Sequence, residues 1–436
     1  MDVQQKIDEV AVSGLTILDL SDRGLAVLPD ISHLTSLQQL DISHNKLQII
    51  PALPQNLLQL AARGNKLQAL PDLPPGLQVL DVWCNDLQHL PDLPPELQKL
   101  SVGANKLHVL PTLPSSLRKL DVKWNLVHTL PSLPSELQKL NVAFNPLQTL
   151  SNLPAGLQDL GAYCTSPQEP AVFPPGVQRM AIHGDFLSTP PNFPLALREL
   201  YIRQKSLPTL PEIPRWITSL GISECDLRTL SDFPPGLQRL TINTNPLQTL
   251  PDFPAGLQYL NIWHCSELRT LPALPPGLQI LSIGDNSKLQ TLPDLPSGLQ
   301  LLRVMMNKEL CVLPTPPPGL LVMYIADNNL RTLPAVPRTV RKLGIQKNPI
   351  QILPDLSHLD ELHDLFFYDN PITHSHISNC GLFHWRDVTF DRDEVNAIHR
   401  HIQLFNDKNT LYRMLPGDVI NIIEEYISYV PVTIID

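Results

Sequence analysis

Two groups of side chains in this sequence could do chemistry. His374, His376, His384, His399 and His401, with Cys380, lie within 28 residues, and imidazole and thiolate together ligate zinc. Their spacing matches no familiar finger, and positions 399 and 401 diverge on a helix, so no metal is expected. The six cysteines are scattered without a C-x-x-C pair and read as reduced thiols. There is no glycine-rich phosphate loop, no G-x-S-x-G and no H-E-x-x-H, and the carboxylates recur at solvent-facing positions. Neither catalysis nor a cofactor is therefore expected. The second group suits protein recognition: Trp83, Trp124, Phe144, Tyr163, Trp263, His264, Met305, Met306 and Tyr368, with Tyr201 and Tyr324 in the same candidate surface. Aromatics and methionine are enriched at protein interfaces. Lys99, Lys119 and Lys139 stand at one column of three successive units, with Lys123 beside them.

What must position these residues is a repeat. Leu77-Gln78-Val79-Leu80-Asp81-Val82-Trp83-Cys84-Asn85-Asp86-Leu87 reads L-x-x-L-x-L-x-x-N-x-L, the leucine-rich-repeat signature. Counted from the strand leucine, units begin at 18 and 40, then every twenty residues to 260, then at 281, 302, 323, 343 and 365, eighteen in all. In Leu80-Asp81-Val82 the apolar alternation describes a short strand with one buried face, and copies stack into a parallel sheet. Leu87, Leu90, Leu93 and Leu97 are expected to complete the buried set. Eighteen strands at about 4.8 Å each give an arc of roughly 85 Å.

The fold expected is thus a repeat solenoid, a leucine-rich-repeat horseshoe with a parallel β-sheet on its concave face. Asn45, Asn65, Asn85, Asn105, Asn125 and Asn145, then Asn245, Asn286, Asn307, Asn328, Asn348 and Asn370, fall at the turn after the strand, where a buried amide can satisfy backbone groups of adjacent turns. Cys225 and Cys265 take the same slot as buried structural cysteines. Proline, 46 of 436 residues, recurs as Leu-Pro-x-Leu-Pro after each turn. Because proline fixes φ and keeps the preceding residue extended, the convex wall should be polyproline II, not helix. The end units, with Pro29-Asp30-Ile31-Ser32-His33-Leu34 and Pro354-Asp355-Leu356-Ser357-His358-Leu359, lack the second proline, as capping units do. The ladder breaks at Thr165, Asp185 and Lys205, and Pro167 and Pro170 replace core leucines. Either the arc bends or loosens there or it makes room for a partner.

Residues flanking the strand leucines point away from the core, so a partner belongs on the concave face. The alternative is that the aromatics only shield the sheet. For the lysines the alternatives are an acidic partner and local neutralisation, with Asp121 on the same face as Lys119. The net charge of −10 with no basic block argues against nucleic acid, and no apolar run is long enough for a membrane span.

Twenty-residue repeats with paired leucine-proline steps resemble bacterial virulence effectors, the YopM-like proteins and the IpaH and SspH ubiquitin ligases. The resemblance spans roughly residues 18 to 372. It implies entry into the host cell cytoplasm by a route independent of a signal peptide, and binding of a host protein. A bacterial cytoplasmic location is the alternative. The start, Met1-Asp2-Val3-Gln4-Gln5-Lys6-Ile7-Asp8, carries charges where a signal peptide needs an apolar run. The ligases' catalytic C-x-D cysteine has no counterpart here, because Cys380 is followed by Gly381-Leu382.

The organisation expected is a short helix or cap over 1–14, the solenoid over 15–372 and an α-helical capping segment over 373–436. That segment begins Asp391-Arg392-Asp393-Glu394, a capping-box-like start ahead of Val395, Ile398, Ile402 and Phe405. Leu415-Pro416-Gly417-Asp418-Val419-Ile420 resembles the opening of F-box and PRANC domains, which implies, as an alternative function, a ubiquitin-ligase adaptor.

Overall fold

The computed structural model describes residues 3–147, 150, 152–164, 173–184, 192–205, 207, 209–354, 356, 358–367 and 369–371. The expected C-terminal helices, the His/Cys group, the F-box-like segment, Thr165, Pro167, Pro170, Asp185 and Tyr368 lie outside the described residues.

The chain opens with α1, Val3–Ser13, whose Ile7 and Val10 are buried. Seven strands of three residues follow: β1 Ile17–Asp19, β2 Gln39–Asp41, β3 Gln59–Ala61, β4 Val79–Asp81, β5 Lys99–Ser101, β6 Lys119–Asp121 and β7 Lys139–Asn141. β8 Asp159–Cys164 and β9 Arg179–Gly184 have six residues. Seven strands of five come next: β10 Glu199–Arg203, β11 Ser219–Ser223, β12 Arg239–Asn243, β13 Tyr259–Trp263, β14 Ile280–Gly284, β15 Leu301–Met305 and β16 Val322–Ala326. β17 Lys342–Gly344 and β18 Asp364–Phe366 close the series.

Each strand pairs in parallel with the next in chain order, and the register sets leucine on leucine: Leu80 beside Leu100, Leu100 beside Leu120, Leu120 beside Leu140. The product is a leucine-rich-repeat solenoid of eighteen strands in one sheet. Strand leucines and the apolar residues two places on are buried up to the last unit, and Leu80 and Val82 have no solvent exposure; Leu365 and Phe367 at the end are half-buried. Neither layer could bury these side chains without its neighbours.

Among the described residues the outer wall holds no helix, only irregular segments and turns, and its packing differs from expectation. Leu90 and Leu93 are only half-buried, whereas Pro94 is buried. The wall proline faces inward because its carbonyl closes a turn, accepting the Leu97 N–H at 3.1 Å, and that turn feeds the chain back into the sheet. In the end units Ile31, Leu34, Leu356 and Leu359 fill the wall side of the core.

Strand length has a local cause. In the first half the residue after the strand leucine is often aspartate, and its Oδ1 accepts the N–H two residues on. Asp19 takes Ser21 N–H at 2.9 Å, Asp41 takes Ser43 at 2.9 Å and Asp121 takes Lys123 at 3.1 Å. A side chain that captures this donor removes it from the ladder and ends the strand. In β8 to β12 that position holds Gly161, Ala181, Tyr201, Gly221 or Thr241, which offer no such acceptor with that reach, and these strands run to five or six residues; β3, β5, β17 and β18 stop at three without an aspartate there, so the device is one contributor to strand length.

Candidate functional site

The open face of the sheet is built from four positions per unit: one before the strand leucine, and one, three and four after it. Grouping by column sets position four with position three on the open face, but position four is not part of the pleat. It adopts a left-handed backbone, with φ of 57° at Cys84, 55° at Trp124, 55° at Phe144, 54° at His264 and 57° at Met306. For a residue with a side chain that conformation costs roughly 1–2 kcal/mol, and Gly64 occupies it without that penalty. Bulky Trp124, Phe144 and Met306 are therefore not there for the backbone's sake.

The turn itself is held by the asparagine ladder. Asn105 Nδ2 donates to the carbonyls of Val82 at 3.1 Å, Val102 at 3.0 Å and Gly103 at 3.1 Å, and its Oδ1 accepts Leu87 N–H at 3.0 Å. The same pattern recurs at Asn65, Asn85, Asn125 and Asn145, and Asn348 and Asn370 each reach one unit back. At Asn286 and Asn307 the amides also meet one another, with Asn286 Nδ2 at 3.4 Å from Asn307 Oδ1. Cys225 fills the slot by donating its thiol to Ser223 O at 3.1 Å. Burial pushes the Cys225 thiol up to about 11 and the Cys265 thiol to about 12, so both are inert. Lys205, in the same slot, is exposed instead. In β8 and β9 the strand continues through position four, so the left-handed turn is missing there.

On this frame the structure joins part of the aromatic set into one stripe. The rings of Trp83 and Trp124 lie 6.3 Å apart between centroids, and those of Trp124 and Phe144 lie 5.5 Å apart. Cations cover the stripe: Arg63 over Trp83 at 5.7 Å, Lys123 over Trp124 at 5.5 Å and Arg203 over Phe144 at 5.2 Å. Trp124 is 43% exposed. Arg63 and Arg203 were invisible to a search for aromatics, since they belong to different units from the rings they cover.

A second group lies over β13 to β15. Trp263 Nε1 donates to Ser282 Oγ at 2.9 Å, and His264 Nδ1 lies 2.7 Å from Asp285 Oδ2. Met305 and Met306 are half-buried in the next unit. Tyr201 and Tyr324 sit on the strands themselves, and burial raises both phenols above their ordinary value. Tyr163 lies on β8.

Glycine underlies the rings. A Cβ at Gly103 would meet Trp83 at 2.7 Å, one at Gly284 would meet Trp263 at 2.5 Å and one at Gly344 would meet Tyr324 at 2.6 Å; Gly221 stands in the same relation to Tyr201. Each glycine occupies its aromatic's own position in the following unit, so the ring lies flat on the sheet. That pairing at twenty or twenty-one residues was the legible signal that composition by column missed.

The lysines divide. Lys139 lies 3.7 Å from Asp159, which Arg179 also holds at 2.8 Å. Asp121 does not neutralise Lys119; its partner is Lys123, through charge and the N–H, while burial raises its carboxyl above the ordinary value. Among the described residues no group of three histidine, cysteine or carboxylate side chains could hold a metal, and no helix is long and apolar enough to cross a membrane.

Residues 36–57 match the family model described as Leucine Rich Repeat. YopM from Yersinia pestis, described as a leucine-rich effector protein, aligns with 29% identity over 84% of this chain and 92% of its own, at a TM-score of 0.50. Its fold and repeats are YopM-like. YopM from Yersinia enterocolitica WA-314 is 28% identical over 85% of this chain and 91% of its own, with a TM-score of 0.49. A Shigella effector leucine-rich-repeat domain is 26% identical over 51% of this chain and 74% of its own, with a TM-score of 0.30. No curated protein sequence matches the chain. The YopM-like array thus carries its aromatic stripe on a scaffold whose buried positions are committed to structure.

Proposed function

We propose that the protein is a non-catalytic interaction scaffold, a bacterial effector that reaches a host cell and binds a host protein on the concave face of its sheet. The likeness to YopM, described as an effector, supports the delivery. The observation that carries the binding is the continuous stripe from Trp83 through Trp124 to Phe144, capped by Arg63, Lys123 and Arg203. Aromatic pairs and cation–π contacts are each worth only about 0.5–1.5 kcal/mol, less than or comparable to the backbone penalty of placing Trp124 and Phe144 at left-handed positions. The turn imposes this conformation on Ala104, Thr244 and Lys347 as well, so what supports the reading is the choice of bulky aromatic residues there and their joining into one exposed stripe.

The test is capture of host-lysate proteins by the full chain and by Trp83→Ala, Trp124→Ala, Trp263→Ala and their combination. Loss of capture with little change in unfolding temperature is the expected result. Equal capture by the triple variant places the binding surface elsewhere.

A further inference from the structure

We infer that the first half of the open face accepts an acidic helical segment of a protein partner, laid along the solenoid axis between the lysine row and the aromatic stripe. The inference rests on the preceding reading of this face as the binding surface. It starts from charge segregation. Over β3 to β9 the open-face positions carry Arg63, Lys99, Lys119, Lys123, Lys139 and Arg179 against three carboxylates, in a chain whose net charge is −10. Those carboxylates are already engaged: Asp81 by Arg63 at 3.7 Å, Asp121 by Lys123, and Asp159 by Arg179 and Lys139. Lys99 and Lys119 are what remains. They are exposed, face each other in register, and have no ion-pair partner among the described residues. Like charges opposite each other across strands repel, and an anion from a partner would relieve that cost.

The spacing selects the shape of the anion's carrier. Lys99 and Lys119 precede the strand leucine by one residue, whereas the stripe follows it by three or four. Fully extended, those four or five residues would span about 13–16 Å, an upper bound that the turn at position four shortens toward the roughly 10–12 Å diameter of a helix with its side chains. Successive strands are about 4.8 Å apart and successive helical turns about 5.4 Å, so acidic residues one turn apart on one edge would meet Lys99, Lys119 and Lys139 in order. Apolar residues on the other edge would meet Trp83, Trp124 and Phe144. From β4 to β10 is about 29 Å, the length of about 19 helical residues.

The experiment titrates the full chain into a fluorescein-labelled helical peptide of about 20 residues, with glutamates at i, i+4 and i+7 along one edge and leucines along the other. Saturable anisotropy that weakens with salt is expected. Lys99→Glu with Lys119→Glu should weaken it at least tenfold, and a peptide with lysine in place of glutamate should restore binding to that variant, which a folding defect cannot do. Absence of saturable binding, indifference to the double reversal, or tighter lysine-dependent binding of a single-stranded oligonucleotide or of phosphatidylserine vesicles overturns the inference. Lysate capture that depends on the tryptophans but not on Lys99 and Lys119 leaves the scaffold standing and removes the acidic helix. Peptide binding that follows the lysines while the tryptophan variants change neither assay keeps an acidic-peptide site and removes the stripe from it.

Discussion

Replacing Asn105 by alanine tests how far one amide joins two repeats. The change removes the acceptor of Leu87 N–H and a donor to the Val82 carbonyl, both in the preceding unit and both in buried surroundings. The Val82 carbonyl keeps the Asn85 amide at 3.0 Å, so the group left unpaired is the Leu87 N–H, and the variant should lose about 1–3 kcal/mol. Cysteine at 105 should be milder. At Cys225 the thiol donates to Ser223 O and lies 3.7 Å from Ile202 O, the carbonyls equivalent to Gly103 and Val82. It offers no comparable acceptor to the Leu87 N–H, so Asn105→Cys should retain most of the loss. A long array need not unfold in one step, so the decisive readout is hydrogen exchange at the Leu87 amide, beside global denaturation in urea. At about 1.4 kcal/mol per decade, protection should fall by roughly 0.7–2 decades in Asn105→Ala. A fall under threefold, or a cysteine variant weaker than alanine, would refute the idea that the amide pins neighbouring turns.

Gly103→Ala places a methyl 2.7 Å from the Trp83 ring, so it should tilt the indole off the sheet, shift the tryptophan emission and reduce partner capture about tenfold with the core untouched; unchanged emission counts against the flat ring. Asp121 has a folded value raised above 3.8 by burial, so its ionisation opposes folding. The wild type should lose stability as pH climbs from 3.8 through that raised value. Asp121→Asn should escape this loss, and parallel melting curves against pH for the two chains would contradict it. Brief alkylation of the native chain at pH 8, mapped by mass spectrometry, should label exposed Cys84 and Cys311 and spare Cys225 and Cys265; labelling of Cys265 would show that its turn opens readily.

The spine was legible because its period is rigid. A leucine at 80, 100, 120 and 140 admits one register, and a shift by one residue would turn the buried column outward. The wall was less so, because hydrophobicity ranks Leu90 and Leu93 above Pro94, whereas turn closure decides which of them faces in. In the candidate site, the columns located Trp83, Trp124 and Phe144 but gave no sign that position four leaves the pleat, since φ is not written in side-chain type. Contacts such as Arg203 over Phe144 link residues three units apart, and only the stacked geometry reveals them.

The aspartate device that shortens the early strands makes the two halves of the face mechanically unlike. Before residue 159 the amide at position three is often claimed by a side chain, as at Trp83 and Lys123, so the open-face side chains there hang from loops. After it, the corresponding amides of Asn243 and Trp263 belong to five-residue strands. Any partner on this face would meet an adjustable surface over the first seven strands and a fixed template over β8 to β16.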